Sequence, residues 1–202
     1  MPRPPAYRED FGVRNHSLFG ALNLRPAVAQ HSAPERDLLR RVATGARSIV
    51  EIGVAEGGSA YDMRSTMDAE GVLTLIDPYP RVAGVNLTSI TARRLVGGVP
   101  RGHVRWLHVL SHEAVQRWHE PIDVLLIDGD HSYEATRQDF EDWSPHVAPT
   151  GAVLFHDALL DAPWMSMEFG SAQVVAELRE DAAPPWQLVD GADSLAVFRR
   201  AA

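Results

Sequence analysis

The chain has 202 residues, 45% of them hydrophobic, which is enough apolar material for the core of one globular domain. A formal net charge of −8 argues against a nucleic-acid backbone as the main partner, because proteins that bind phosphate backbones concentrate lysine and arginine. Cysteine is absent, which excludes disulfides, a thiolate nucleophile and a cysteine-based zinc site.

Residues 1–33 mix proline, arginine and aromatic side chains without a helical or strand period, and we interpret them as an irregular N-terminal arm. Such an arm covers either the active site or a subunit interface, and the second role favours a homodimer. The first residues lack the apolar core of a signal peptide. The sequence also lacks a run of about 18 apolar residues, which is the pattern that predicts a membrane span. We therefore expect a cytoplasmic protein without a membrane partner.

From residue 34 to residue 202, helical and strand patterns alternate. Short apolar runs rich in β-branched residues predict strands at 47–52, 72–76, 104–109, 122–127 and 151–155. Helical periodicity predicts helices from 34 through 42 and at 58–69, 88–95, 113–118, 134–143 and 172–180. Two last strands, 186–189 and 195–199, flank residues 190–193 and predict a terminal β-hairpin. This order is typical of the doubly wound α/β fold, a parallel sheet with helices on both faces.

The first predicted strand ends in a glycine-rich loop, E-I-G-V-A-E-G-G-S at residues 51–59. Ligands of open α/β sheets bind beyond the carboxyl ends of the strands, where glycine lets the backbone lie against them. The chain contains neither the dinucleotide pattern G-x-G-x-x-G at this loop nor a G-x-x-x-x-G-K-[ST] phosphate loop, which counts against NAD. The second strand ends at Asp77, which can accept hydrogen bonds from both hydroxyls of a ribose. The alternative is that Gly57 and Gly58 only turn the chain and Asp77 only begins a loop.

These residues resemble the class I S-adenosylmethionine-dependent methyltransferases. The resemblance implies a Rossmann-like, seven-stranded sheet whose last strand is antiparallel, in agreement with the predicted hairpin. It also implies S-adenosyl-L-methionine as the cofactor, with Asp77 on the ribose and Ser111 beside the adenine. The implied contacts near the methionine moiety and along the loop are Glu51, Gly53, Gly57, Gly58 and Ser59. The loop departs from the commoner E-x-G-x-G-x-G pattern, because its glycines are spaced as E-x-G-x-x-x-G-G-S.

The fourth and fifth predicted strands both run into ionisable side chains, D-G-D-H at residues 128–131 and H-D at residues 156–157. Ionisable groups at the end of a buried strand need a partner, a metal or solvent, because desolvating a charge is costly. Asp128 and Asp157 offer carboxylate oxygens and His156 offers an imidazole nitrogen. The pattern therefore predicts a divalent-metal site with positions left open for substrate oxygens.

This pair of motifs is similar to the sugar and small-molecule O-methyltransferases of the macrocin type, and to the related cephalosporin hydroxylase-like proteins. The resemblance implies methylation of a hydroxyl on a small molecule or sugar, with Mg²⁺ or Mn²⁺ held by Asp128, His156 and Asp157. It implies that Asp128 and His131 are catalytic, with His131 as the base that accepts the hydroxyl proton. The chain departs from the metal-dependent members at His156, where those members have an acidic residue.

Two other functions stay open on these residues. One is a hydroxylase-like protein that binds S-adenosylmethionine or a metal without methylating, and the other is a catalytically silent binding module. Individual side chains also have structural alternatives: His131 and His156 as hydrogen-bonding partners, and Asp130 as the cap of the helix that begins near Tyr133.

Overall fold

The structure, a computed structural model, describes residues 4–7, 17–80, 84–180 and 185–201. Its seven strands are β1 (Ser48–Ile52), β2 (Val72–Ile76), β3 (His103–Leu107), β4 (Ile122–Ile127), β5 (Val147–Phe155), β6 (Trp186–Ala192) and β7 (Leu195–Arg200). They form one sheet in the order β3-β2-β1-β4-β5-β7-β6. Strands β1 to β5 are parallel, and β7 is antiparallel to both β5 and β6. The predicted fold class is confirmed.

The helices are α1 (Ser17–Ala21), α2 (Ala33–Ala43), α3 (Gly58–Thr66), α4 (Leu87–Gly97), α5 (Ser111–Ala114), α6 (Tyr133–Trp143) and α7 (Gly170–Glu180). Helix α2 begins at a capping box, in which Ser32 and Glu35 each accept the other's backbone N–H. Within the described parts of the chain, no helix is both long and apolar enough to span a bilayer.

Both faces of the sheet are covered. Side chains from α2, α3 and α4 pack with residues such as Ile49 and Leu126 on one face, whereas α6 and α7 pack with Val50 and Leu125 on the other. Neighbouring residues of a strand point to opposite faces, so a sheet buried on both sides needs apolar side chains at consecutive positions. This is why β1, β2 and β4 have apolar residues at most positions, on both faces of the sheet.

The chain differs from its predicted elements mainly at the end. Strand β5 begins at Val147, which pairs with Ile122, rather than at residue 151. Strand β6 runs through the predicted turn as far as Ala192, which pairs with Leu195. The pairing of β6 with β7 shifts register between Leu188 and Asp190, which accommodates one extra residue in β6. The hairpin turn is therefore shorter than the predicted turn at residues 190–193.

The described part of the N-terminal arm, residues 4–7 and 17–32, contains α1 and an isolated parallel bridge between Ala6 and Val28. The remainder of that predicted irregular segment lies outside the described residues. The strand order reverses at the centre of the sheet, because β1 pairs with β2 on one side and β4 on the other. The carboxyl ends of these strands therefore flank the crevice in which open α/β sheets bind ligands.

Candidate functional site

A cavity of about 510 Å³ opens at the carboxyl ends of the strands, a size typical of small-molecule sites. Its wall comes from the loops after β1, β2, β3 and β4, from α6 and from residues 28–31 of the arm. Of the predicted site residues, it brings together Gly53, Gly58, Ser59, Asp77, Ser111, Asp128 and His131. The predicted residues Glu51, Gly57, His156 and Asp157 lie behind this wall rather than in it.

The two neighbouring glycines of the loop have different surroundings. Gly57 has φ of +83°, and a Cβ built on it would lie 2.9 Å from Cγ2 of Val96 on α4. Gly57 therefore serves the turn and the packing of α4. A Cβ on Gly58 would lie 2.6 Å from Cα of Ala29, so the arm rests directly on the loop at this point.

Glu51 is fully buried behind Ser59, whose hydroxyl donates a hydrogen bond to Oε1. The second oxygen, Oε2, has no hydrogen-bond partner among the described residues. Burial is the main reason that the pKa of Glu51 lies well above its usual range, and the nearby Asp128 and Asp77 raise it further. Glu51 therefore supports the cavity wall from behind through Ser59.

Asp77 connects β2 to the glycine-rich loop. Its Oδ2 accepts the backbone N–H groups of Val54 at 3.0 Å and Ala55 at 3.3 Å, and its Oδ1 accepts that of Tyr79 at 2.8 Å. A carboxylate has about four acceptor sites, so Asp77 can still accept a hydrogen bond from a ligand in the cavity.

Ser111 and Asp139 form the opposite end of the cavity. The Ser111 hydroxyl donates to Oδ1 of Asp139, which is buried on α6. Burial raises the pKa of Asp139 to about 6, although the Ser111 hydrogen bond acts in the other direction. No local sequence spacing pairs Asp139 with Ser111, because their contact joins distant parts of the chain.

We expect Asp139→Asn to gain stability over the wild type as the pH rises. A pKa that is higher in the folded than in the unfolded state stabilises the wild type fully at a pH below the unfolded-state pKa, about 4. This stabilisation is lost as the pH rises past the folded-state pKa of Asp139, about 6. Asparagine does not titrate, so urea unfolding at pH 4 and pH 7 should show the difference between the variant and the wild type growing by up to about 3 kcal/mol. A difference that is independent of pH would contradict the assignment.

His131 and Asp157 form a dyad beside the cavity. Nε2 of His131 lies 3.5 Å from Oδ2 of Asp157, and the His131 side chain, 37% exposed, lines the cavity. Asp157 has φ of +47°, which is uncommon outside glycine and directs its carboxylate back toward His131 and Ser194. The hydroxyl of Ser194 lies 3.1 Å from Oδ1 of Asp157. These contacts orient the imidazole of His131.

His156 lies among three carboxylates. Its Nδ1 is 3.0 Å from Oδ1 of Asp128 and 3.5 Å from Oδ2 of Asp157, and its Nε2 is 3.6 Å from Oε2 of Glu35. These are ion-pair approaches rather than well-aligned hydrogen bonds. Burial alone would lower the pKa of His156, but the three carboxylates outweigh it and raise that pKa well above the usual range. The three carboxylates therefore favour the protonated form of the ring.

The predicted metal centre has a different arrangement in the structure. Among the described residues, no group of three histidine, aspartate or glutamate side chains is arranged to hold a metal ion. Asp128 and Asp157 both face the imidazole of His156. The three residues that we predicted as ligands thus lie together as an ion-pair cluster, and metal binding by them stays a prediction.

The predicted cap of α6 was wrong. Ser132 is the N-cap, and its hydroxyl accepts the backbone N–H of Ala135 at 3.3 Å. Asp130 lies two residues earlier. Its Oδ1 accepts the backbone N–H of Ser132 at 2.8 Å, and this hydrogen bond lowers the pKa of the Asp130 carboxyl. Asp130 also lines the cavity.

Sequence reasoning did not identify the ion pairs that attach the arm to the site. Arg25 binds Glu56 of the glycine-rich loop through two hydrogen bonds of 2.8 and 2.5 Å, and Glu56 also accepts the backbone N–H of Val28. His31, which lines the cavity, lies 2.9 Å from Asp62 on α3. No local spacing connects these partners, so no sequence signal could have paired them.

The cavity is acidic. Four of the described residues that line it are aspartates, at positions 77, 128, 130 and 139, and none of the described lining residues is lysine or arginine. Phosphate groups are usually bound by arginine, lysine or a phosphate loop. The cavity is therefore poorly suited to a dinucleotide and well suited to a ligand that carries positive charge.

Comparisons with known proteins agree with this geometry. A family model described as a methyltransferase domain matches residues 50–158. Among solved structures, cofactor-bound Rv0187 from MTB has a TM-score of 0.67 at 17% identity, covering 99% of this chain and 98% of that one. The O-methyltransferase TomG from Streptomyces achromogenes, involved in tomaymycin synthesis and solved with SAM, has a TM-score of 0.64 at 15% identity, covering 96% and 94%. An O-methyltransferase from Bacillus cereus, in complex with SAH, has a TM-score of 0.61 at 16% identity, covering 95% and 94%.

A curated relative, the uncharacterized protein y4gI of Sinorhizobium fredii, is 47% identical over 36 residues, which are 18% of this chain but only 4% of that protein's length. The likenesses to solved structures show the fold alone at these identities. The family model begins in β1 and ends just after β5, so it covers more than half of the chain and contains the glycine-rich loop, Asp77 and both acidic strand ends. The chain therefore belongs to the methyltransferase-domain family.

Proposed function

We propose that the cavity binds S-adenosylmethionine and that the enzyme transfers its methyl group to a hydroxyl of a small molecule. The observation that carries the proposal is the acidic cavity, in which Asp77 is the carboxylate at the end of β2 and no described lining side chain is a lysine or arginine. S-adenosylmethionine has a positively charged sulfur and no phosphate, whereas NAD has two phosphates. The proposal is consistent with the SAM and SAH complexes of the TomG and Bacillus cereus enzymes.

Each end of the cavity suits one part of this cofactor. Asp77 can accept one further hydrogen bond, which we assign to a ribose hydroxyl, and we assign recognition of the base to Ser111 with Asp139. At the other end, the N-cap of α3 is Gly57, which has no side chain to accept a hydrogen bond from the helix. The first backbone N–H groups of α3 therefore favour the carboxylate of a bound ligand. The arm, attached through Arg25 and Glu56, covers this end from solvent.

When bound, S-adenosylmethionine supplies a methyl group attached to a positively charged sulfur, and this sulfur is a good leaving group. A hydroxyl attacks such a carbon poorly until a base lowers the cost of losing its proton. His131 lines the cavity with its Nε2 3.5 Å from Oδ2 of Asp157, so its imidazole is the group that can accept that proton. Asp157 then stabilises the imidazolium that forms, and Ser194 orients Asp157.

The proposal assigns no step to the divalent cation that the sequence predicted, because no group of three histidine, aspartate or glutamate side chains was found to be arranged for a metal among the described residues. The metal site and the hydroxylase-like alternative stay predictions. The homodimer, the cytoplasmic location and the boundary between residues 33 and 34 stay predictions. Exposed apolar side chains at Leu22 and Leu24 of the arm support the homodimer, which light scattering can measure.

Isothermal titration of the purified protein tests the cofactor. We expect binding of S-adenosylmethionine and S-adenosylhomocysteine, and no binding of NAD. Release of S-adenosylhomocysteine can then be followed with a panel of sugar, polyketide and catechol hydroxyl acceptors. Tight binding of NAD, together with no binding of S-adenosylhomocysteine, would contradict the proposal.

Asp77→Ala is expected to weaken S-adenosylhomocysteine binding by about 1 to 3 kcal/mol, because the ribose hydroxyls and the loop N–H groups lose a charged acceptor. The matched control is Asp68→Ala, since Asp68 also accepts a backbone N–H two residues on, at 2.8 Å, but lies outside the cavity wall. Titration calorimetry compares the two variants. Equal affinities would place the ribose elsewhere.

A further inference from the structure

We propose that His31 of the N-terminal arm binds the α-amino group of the methionine moiety of S-adenosylmethionine, and that Asp62 on α3 orients its ring for this contact. The inference rests on the proposed function, because it assigns one further contact to the same cofactor. His31 is then a cofactor-binding residue, and Asp62 is a positioning residue.

The arm brings His31 to the end of the cavity at which α3 begins. Ala29 lies directly on Gly58, and two residues later His31 contacts Asp62. Gly58 and Asp62 are four residues apart on α3, so the arm follows the first turn of that helix. His31 and Gly58 both line the cavity there.

The carboxylate of Asp62 determines which nitrogen of His31 remains available. Asp62 is fully buried, and its Oδ1 accepts hydrogen bonds from Arg40 at 2.9 and 2.7 Å and from the Tyr7 hydroxyl at 3.1 Å. Its Oδ2 lies 2.9 Å from Nε2 of His31. A carboxylate only accepts hydrogen bonds, so Nε2 carries the hydrogen of this contact. In the neutral imidazole, Nδ1 is then a hydrogen-bond acceptor.

This second nitrogen has the surroundings of a binding group. The side chain of His31 is only 4% exposed, yet it lines the cavity, and the hydrogen bonds of the described residues include none to its Nδ1. The ring of Tyr7 packs edge-on against the imidazole at a centroid distance of 5.5 Å, which holds the plane of the ring. Nδ1 therefore gains a hydrogen bond when a donor binds in the cavity.

The methionine moiety of S-adenosylmethionine carries two charged groups on one carbon, a carboxylate and an ammonium. The first backbone N–H groups of α3 favour the carboxylate, which leaves the ammonium beside the same turn. Nδ1 of His31 is an acceptor at this place, and hydrogen bonds to charged groups are stronger than those between neutral groups. We therefore expect ligands without the amino group to lose this contact.

Two ligands test the assignment: S-adenosylhomocysteine and its deaminated analogue, in which hydrogen replaces the α-amino group. We expect the wild type to bind the analogue at least about tenfold more weakly by titration calorimetry. His31→Phe keeps an aromatic ring against Tyr7 but has no acceptor. It should bind S-adenosylhomocysteine about tenfold more weakly than the wild type does, and the analogue with nearly wild-type affinity.

His108→Phe is the matched control. His108 also has a charged partner, Arg93 at 2.6 Å, and an aromatic neighbour, Tyr79 at a centroid distance of 5.4 Å, but it lies outside the cavity wall. This variant should leave the ratio of the two affinities unchanged. A His31→Phe chain that weakens both ligands equally, or neither of them, would overturn the assignment.

Nitrogen NMR spectroscopy of the wild type decides if His31→Phe does not fold. Nδ1 of His31 should carry no hydrogen, and its resonance should move with S-adenosylhomocysteine but not with the analogue. A protonated Nδ1, or the same response to both ligands, overturns the assignment. Asp62→Asn should produce a mixture of His31 tautomers, a change that a purely structural role of Asp62 would not cause, and an unchanged tautomer would reject Asp62 as the positioning residue.

Failure of the proposed function gives a different result. A wild type that binds neither ligand would contradict the proposed function itself. Binding of S-adenosylhomocysteine by the wild type, with an equal loss of both ligands in His31→Phe, would contradict only the role of His31.

Discussion

Replacing His131 with alanine is expected to lower the rate of methyl transfer by about 10² to 10⁴ while leaving the affinity for S-adenosylmethionine nearly unchanged. His131 lines the cavity, and Asp157 at 3.5 Å orients its ring, which is the arrangement of a base with its orienting carboxylate. The expected loss is that of general-base catalysis, which acts on the acceptor and not on the nucleoside. The two quantities are measured by single-turnover formation of S-adenosylhomocysteine and by titration calorimetry.

His119→Ala is the matched control, because His119 is exposed and lies outside the cavity wall. It should retain both the rate and the affinity. Near-normal turnover in His131→Ala would reject His131 as the base and direct attention to Asp130, the exposed carboxylate on the same loop. A parallel fall in cofactor affinity would instead show that His131 contacts the nucleoside or supports the wall.

Gly53→Ala is expected to destabilise the protein by more than about 4 kcal/mol, beyond the range of ordinary substitutions. Gly53 has φ of +81°, and a Cβ on it would lie 2.0 Å from the carbonyl oxygen of Asp128 and 2.7 Å from Cα of Gly129. Both neighbours are backbone of the loop after β4, so relief of the clash requires β1 and β4 to separate at the cavity. Urea unfolding measures the loss.

Gly84→Ala is the control that separates the effect of the clash on stability from the effect of the backbone conformation. Gly84 has the same φ of +81°, but a Cβ on it would meet no atom of the described residues within 4 Å. This control should therefore lose only the cost of a left-handed residue, about 1 to 2 kcal/mol. If both variants lose the same free energy of unfolding, close packing against Asp128 does not explain why glycine is needed at position 53.

The sequence by itself determined the architecture and the edge of the sheet at which the site lies. Consecutive apolar residues in β1, β2 and β4 are required by burial on both faces, and this signal is local. The polar residues that end these strands were also readable, because the carboxyl ends of parallel strands meet at one edge. Asp77, Asp128 and His131 therefore line one cavity, as their positions at strand ends predicted.

Only the tertiary structure decided which of these side chains face the cavity and what each one pairs with. Gly57 and Gly58 are adjacent, yet one packs on α4 and the other on the arm. The H-D pair after β5 gives no sign of Glu35, which α2 brings against His156 from a distant part of the chain. Sequence spacing reports the strand on which a residue lies. The charge and burial that determine its chemistry depend on helices packed against it from elsewhere, so they exist only once the chain has folded.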